Sequence, residues 1–294
     1  MYYTLYCEDV ESEVDLSPFG LIATKNPKPQ PIKVDFIRQA QNKLKNYLNH
    51  QTNSNNEYGY YFFEDLALFE IFSGNRIFVR YFNEIDNDLI HTMLNYPFAI
   101  LFNQRKRFVI HASCVLYNGK VFCFCGKTQS GKSSLAAFLI KKGGILISED
   151  TCVFDNEDKD FCVVPSYNFL KISDEVNIYK NNSLRKPLVF KKKSIDRKGY
   201  ILQESQFYKK PIKVDYFIYL DWSEESFKFK KLDNRTSFKM LLSNELVSFS
   251  KENAVFKFKA ASELVRQAKH FSFCRTKELE SLDNFIEIFS NKIL

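Results

Sequence analysis

Apolar and polar positions alternate with two different periods along this chain, and the changes of period outline its elements. The opening run YYTLYC reads as a strand, and the DLSPFG and KNPKPQPIKV that follow predict loop and sheet edge. In FIRQAQNKLKNYLNH the apolar residues Phe36, Ile37, Ala40, Leu44 and Leu48 keep helical spacing, and the polar HQTNSNNEYG ends that helix. Two strand-like runs, YYFFEDLALFEIF and RIFVRYF, flank Ser73-Gly74-Asn75, which signals a hairpin. From Asp86 to Phe102 the period is helical again, with Leu89, Ile90, Met93, Leu94 and Phe98 on one side. No catalytic constellation stands out in this first third.

Near residue 108 the texture changes. RFVIHASCVLY and KVFCFC predict strands joined by Asn118-Gly119, a strong two-residue hairpin signal. A glycine loop, GKTQSGKSS, comes next, then a helix from about Lys132 to Lys142, stopped by Gly143-Gly144. ILIS follows as a short buried strand ending in Glu149-Asp150. A second hairpin is predicted at CVFDNEDKDFCVV, turning on Asn156 to Lys159. Residues 185–210 are basic and aperiodic and predict a loop. VDYFIYLDW predicts a strand, and Thr236–Leu246 and Ala260–His270 predict helices. An amphipathic helix closes the chain, with Leu279, Leu282, Phe285, Ile286 and Phe289 aligned. There is no internal repeat. The pattern divides the chain into an N-terminal lobe, 1–105, and a second unit, 106–294.

The loop carries the chemistry. Gly126, Gly131, Lys132 and Ser133 match G-x-x-x-x-G-K-[ST], placed between a strand and a helix as phosphate binding requires. Glycines let successive backbone N–H groups turn inward onto phosphate oxygens, and the helix N-terminus adds partial positive charge. Lys132 would reach the outer phosphates and Ser133 would hold Mg²⁺, with Thr128, Ser130 and Ser134 completing the loop's polar lining. Glu149 and Asp150 end the next strand, where α/β proteins place their ligands. One carboxylate there can serve a metal and the other can take a proton from an attacking hydroxyl.

Composition narrows the rest. Of 294 residues 45% are apolar, enough for a packed core, and the net charge of +7 is too modest to signal nucleic-acid binding. The short clusters Arg105-Lys106-Arg107 and Lys191-Lys192-Lys193 read as solvated loops or helix ends. None of the seven cysteines forms a CxxC pair, and Cys123 and Cys125, on one strand face, read as small buried hydrophobes. The four histidines lack zinc-ligand spacing. No apolar run reaches the ~18 residues of a membrane span, and the N-terminus has no signal-peptide pattern. The expectation is a soluble, reduced, cytoplasmic protein, with neither membrane nor nucleic acid as partner and a homo-oligomer left open.

The run HASCVLYNGKVFCFCGKTQSGKSSLAAFLIKKGGILISEDT resembles the HPr kinase/phosphorylase family, and more closely its shorter relatives, among them free-serine kinases and lasso-peptide-type tailoring kinases. The likeness is specific over about residues 108–155 and continues weakly toward the C-terminus. It implies an α/β fold, a P-loop kinase core of the HPr kinase/phosphoenolpyruvate carboxykinase type, with an N-terminal α+β accessory lobe. It also implies ATP (or GTP) and Mg²⁺ as cofactors, and a serine or threonine hydroxyl of a peptide, protein or free amino acid as acceptor. Glu149 falls at the family's catalytic aspartate, Asp150 at the metal-associated acid, and His111 at the histidine beside the transferred phosphate. Glu149 is one methylene longer than that aspartate. The family's long-form C-terminal signature and N-terminal regulatory domain are not found. A nucleotide-binding regulatory or scaffold protein and a P-loop hydrolase are the alternatives.

Overall fold

The computed structural model describes residues 1–40, 52–157, 160–173, 187–190, 197–224, 227–247 and 253–276, with residue 282 and residues 285–287. The first strands are β1 (Tyr2–Leu5), β2 (Glu8–Ser12), β3 (Ile22–Ala23), β4 (Ile32–Arg38), β5 (Thr52–Ser54), β6 (Tyr58–Phe63), β7 (Ala67–Phe72) and β8 (Arg76–Tyr81). They form one sheet in the order β3-β1-β2-β4-β8-β7-β6-β5. Helix α1 (Asn87–Gln104) covers it, burying Leu89, Met93, Leu94 and Phe98 in one core with Phe69, Ile71, Ile77 and Val79. Asp86 caps this helix by accepting from Leu89 N at 3.0 Å, satisfying one of the donors a helix start leaves open.

The chain then crosses between sheets. Strands β9 (Phe108–Ile110), β10 (Ala112–Tyr117) and β11 (Lys120–Cys125) lead into α2 (Lys132–Lys141) and β12 (Ile145–Ser148). After them come β13 (Cys152–Glu157), β14 (Asp160–Val164), β15 (Leu170–Ser173), β16 (Leu188–Val189), β17 (Arg197–Tyr200) and β18 (Ile212–Lys213). β19 (Tyr216–Trp222), β20 (Lys228–Lys231), α3 (Asn234–Ser243), α4 (Ala254–Gln267) and β21 (Lys269–Arg275) follow. A six-stranded sheet runs β12-β10-β11-β19-β21-β20, a four-stranded one β18-β14-β13-β9, and a three-stranded one β15-β17-β16.

Alternation along β11 divides two cores. Phe122 and Phe124 pack with Leu135 and Leu139 of α2, whereas Cys123 and Cys125 pack with Leu241 of α3 and Leu264 of α4. The hairpin turn Asn118-Gly119 has φ of 48° and 71°, the left-handed pair that such a two-residue turn demands. Gly144 N reaches back to Leu139 O at 2.9 Å and closes α2.

Several expectations change. Phe36 and Ile37 belong to β4, not to a helix, while Leu44 and Leu48 lie outside the described residues. β4 is no edge strand, because it is parallel to β2 and to β8 and lies between them. YYFFEDLALFEIF is two strands, β6 and β7, paired from Tyr58↔Phe72 to Phe63↔Ala67. RFVIHASCVLY also divides, at His111, where the chain leaves one sheet for another. The helix expected over Ala260–His270 runs from Ala254 to Gln267, and Lys269 and His270 open β21. The helix expected to reach Leu246 ends at Ser243. Within 185–210, residues 188–189 and 197–200 form β16 and β17, paired with each other, whereas 201–210 carry no strand element and keep the expected loop character apart from a short 3-10 turn at Glu204–Gln206. Lys191–Lys193, the turn residues Asp158 and Lys159, and most of the closing helix lie outside the described residues.

The basic cluster at 105–107 is not simply solvated. Arg105 and Arg107 both pair with Glu8, at 3.1 and 2.6 Å, and Arg107 also meets Asp155 at 2.8 Å. Among the described residues no helix is long and apolar enough to cross a membrane.

Candidate functional site

Three parallel strands finish at one edge. β11 runs parallel to β19, and β19 to β21, with Trp222 opposite Arg275 at the end of the register. The glycine loop leaves β11 at this edge, so Trp222 and Arg275 stand beside it. The indole N–H of Trp222 donates to Gln129 O at 2.9 Å, and the Arg275 guanidinium lies 4.3 Å from the indole ring centroid. Gly126 N donates to Asn244 Oδ1 at 2.7 Å, which ties the loop's start to the end of α3. Gly131 has φ of 90°, and a Cβ there would overlap the Arg275 guanidinium and crowd Trp222.

Lys132 starts α2 and is buried. Its Nζ donates to Gly126 O and Lys127 O, each at 2.9 Å, which holds the ammonium within the loop. Burial lowers its pKa, against the opposing pull of Asp150 and Glu149.

β12 is antiparallel to β10, as β11 is, so its C-terminal end points to the same side as the loop. There the chain turns sharply: Thr151 N donates to Glu149 O at 2.6 Å, and Asp150 is left-handed, with φ of 59°. This conformation is costly for a residue with a Cβ, and neighbouring bonds hold it. His111 Nδ1 lies 2.8 Å from Asp150 O, Tyr6 OH donates to Thr151 O at 3.1 Å, and Ser148 Oγ donates to the same oxygen at 2.8 Å. Thr151 Oγ1 donates to Asn95 Oδ1 of α1 at 3.0 Å. A carbonyl only accepts, so Nδ1 of His111 carries the proton and Nε2 is the ring's acceptor.

The turn sends the two acids into different surroundings. Glu149 is 5% exposed, and neither carboxylate oxygen has a hydrogen-bond partner. Burial, with Asp150 adding repulsion, pushes its pKa up to about 8. The Ser133 and Ser113 hydroxyls lie close enough to pull that pKa down, but neither completes a hydrogen bond. Asp150 faces a cavity of about 640 Å³. Burial raises its pKa, but His111, His91, Lys171 and Arg197 around it outweigh that, and the net shift is downward. His91 Nε2 stands 3.7 Å from Asp150 Oδ2.

Thr128, Gly131, Lys132, Ser133 and Ser134 line the same cavity, as do Asp150 and His111. Glu149, Gly126 and Ser130 are not part of its lining, Glu149 and Ser130 being buried. The motif residues and the acid pair are therefore brought to one place, although they do not all face it.

The opposite wall escaped sequence reasoning. Asp88, His91, Thr92, Asn95 and Tyr96 form a stripe along α1, and Tyr61 stacks on Tyr96 with ring centroids 4.7 Å apart. Lys171 on β15 and Arg197 on β17 complete it. The three- and four-residue spacing along α1 was the available signal, but the apolar stripe on the helix's other side is stronger.

No family model matches the chain, and no curated protein matches it. Among solved structures, the HPr(Ser) kinase/phosphatase from Coxiella burnetii is similar over 62% of this chain and 88% of its own, at 11% identity and a TM-score of 0.31. A superposition that loose carries no argument about activity, so the site must be read from its own chemistry.

Proposed function

We propose that the chain is a P-loop phosphotransferase that moves the γ-phosphate of ATP or GTP to a hydroxyl of a peptide, protein or amino acid. The observation that carries this reading is the contrast between two adjacent acids beside one phosphate loop. Glu149 is an orphaned buried carboxylate next to Ser133, and Asp150 is an ionised carboxylate open to the cavity. A passive nucleotide binder has less use for a second, ionised acid facing the cavity, with His91 beside its carboxylate.

The donor set fits Mg²⁺. Two unsatisfied carboxylate oxygens and a serine hydroxyl are hard oxygen ligands, and a cation would ionise Glu149 and relieve its burial. Ser133 and Glu149 would hold it, and magnesium when bound supplies charge neutralisation to the phosphate oxygens. This exchanges the acid roles that the family likeness implies. Glu149, with a pKa of about 8, is mostly protonated at neutral pH without a cation and makes a poor base there. Asp150 is ionised and faces the cavity, so it accepts the proton of the acceptor hydroxyl as that oxygen attacks the γ-phosphorus and the β–γ bridge breaks. Lys132 stabilises the charge on the phosphate oxygens, and His111 fixes the Asp150 backbone. Residues 1–105 serve as an accessory lobe whose helix α1 forms the acceptor's side of the cavity.

Incubation with γ-labelled ATP, Mg²⁺ and a panel of serine- and threonine-containing peptides and free amino acids tests the reading. Labelled acceptor is expected with the native chain and absent with Lys132→Ala or Asp150→Asn. Nucleotide binding with no labelled acceptor, or phosphate release that ignores every acceptor, would overturn it.

A further inference from the structure

Away from the cavity, three cysteines turn their sulfur atoms toward one point. Cys114 comes from β10, Cys123 from the facing position of β11, and Cys152 from the start of β13. β10 and β11 belong to the six-stranded sheet and β13 to the four-stranded one, so the trio joins two sheets. All three have 0% exposure, and their sulfurs lie within 4.8 Å of one another, Cys114 and Cys152 being 3.6 Å apart. Packing explains why each residue is buried. It does not explain why three strands of two sheets aim sulfur at the same place.

Metal–thiolate geometry gives that arrangement a reason. A metal–sulfur bond of ~2.3 Å places three ligand sulfurs about 4 Å apart, whether the ion lies in their plane or just above it. The 3.6 Å between Cys114 and Cys152 and the 4.8 Å limit on the other pairs are compatible with this value. We propose that Cys114, Cys123 and Cys152 form a binding site for a single thiophilic d¹⁰ metal ion, with Cu(I) as the best fit.

The donor set argues for the ion class. Among the described residues no histidine or carboxylate joins the group, which leaves three soft ligands and no fourth side chain. Thiolates suit both Zn²⁺ and Cu(I), but Zn²⁺ in structural sites takes four ligands, whereas Cu(I) is satisfied by the three soft donors present. An ion would displace the proton of each thiol that it ligates as a thiolate. The Cys152 sulfur also lies 3.2 Å from Ala112 O, which fixes its place beside the other two. With no solvent-exposed sulfur, the ion enters during folding, before β13 closes over β10 and β11. A loaded site would fasten the strand carrying the phosphate loop to the strand that follows Glu149-Asp150. The site does not depend on the phosphotransferase reading.

The test uses the full chain, expressed in copper- or zinc-supplemented medium and purified without oxygen. Metal content is measured by elemental analysis, and thiols are counted after unfolding. The expected result is about one copper per chain from copper medium and little zinc from zinc medium. Refolding with Cd²⁺ should give a thiolate-to-cadmium ultraviolet band. Cys114→Ser and Cys123→Ser should each lose the ion, while Cys7→Ser, which alters an exposed cysteine, should keep it. If the serine variants fail to fold, the native chain's own metal content and cadmium band decide. Native protein with free thiols and no metal from either medium, or a mass showing a disulfide within the trio, would overturn the proposal. A full equivalent of zinc in preference to copper would overturn the choice of ion.

Discussion

The orphaned carboxylate of Glu149 makes the sharpest prediction, because its cost can be worked out and then removed by one substitution. Burial raises its pKa from 4.5 to about 8 in the folded chain. The unfolded chain therefore releases this proton as pH climbs past 4.5, while the native chain keeps it until about 8. Where the unfolded state has lost a proton that the native state retains, stability falls with rising pH. The loss accumulates between those two values and levels off above them. At ~1.36 kcal/mol per pH unit the interval amounts to at most about 5 kcal/mol. Glu149→Gln is neutral at every pH and nearly the same shape, so it escapes this penalty. Its amide hydrogens need partners in the same pocket, which returns about 1–3 kcal/mol of the gain. A chain of this size shifts its Tm by about 2 °C per kcal/mol. The assay is thermal unfolding of both proteins in chelator from pH 5 to pH 9. The Tm difference, variant minus native, should rise with pH by several degrees, because every other titrating group is common to both. With Mg²⁺ at pH 8 the native chain should gain stability that the variant does not. A Tm difference that stays flat with pH, or an equal Mg²⁺ gain in both proteins, would refute the placement of Glu149.

Trp222 is the chain's only tryptophan, and its indole is bonded to the loop at Gln129 O. Its fluorescence should therefore change on titration with Mg-ATP, and Lys132→Ala should weaken or abolish that change while leaving the unliganded spectrum intact. Gly131→Ala places a Cβ against Arg275 at a φ of 90°, so nucleotide affinity should fall at least about tenfold, read by the same fluorescence. Thr151→Val deletes the donor to Asn95 Oδ1 and leaves a buried acceptor open, costing about 1–3 kcal/mol of stability. If that bond helps aim Asp150, the same variant should slow transfer about 10- to 100-fold with nucleotide affinity unchanged. Equal losses of transfer and nucleotide affinity would point to general disruption instead.

How much of this was legible beforehand depended on how local each signal is. The glycine loop, its flanking strand and helix, and the Asn118-Gly119 hairpin follow from residues adjacent in sequence, and the structure has them where the pattern does. The N-terminal strand β4 was misread because Phe36 and Ile37 are adjacent apolar residues that suit a helix face as well as a strand. Its parallel partners β2 and β8, which decide the matter, lie elsewhere in the sequence. Lys269 and His270 extended a helical run in the sequence, but pairing with β19 claims them for a strand. The same non-locality hid half of the cavity. Asp88, His91 and Asn95 look like an ordinary polar helix face until the eight-stranded sheet turns α1 toward Asp150. The acid pair shows the limit most clearly. Adjacent in sequence and similar in chemistry, Glu149 and Asp150 acquire opposite pKa shifts from a single left-handed residue, and that backbone angle is held by Tyr6, Asn95 and His111, which come from three distant segments. A motif can announce that two carboxylates are present. Only the packing around them decides which one is ionised and open to a substrate.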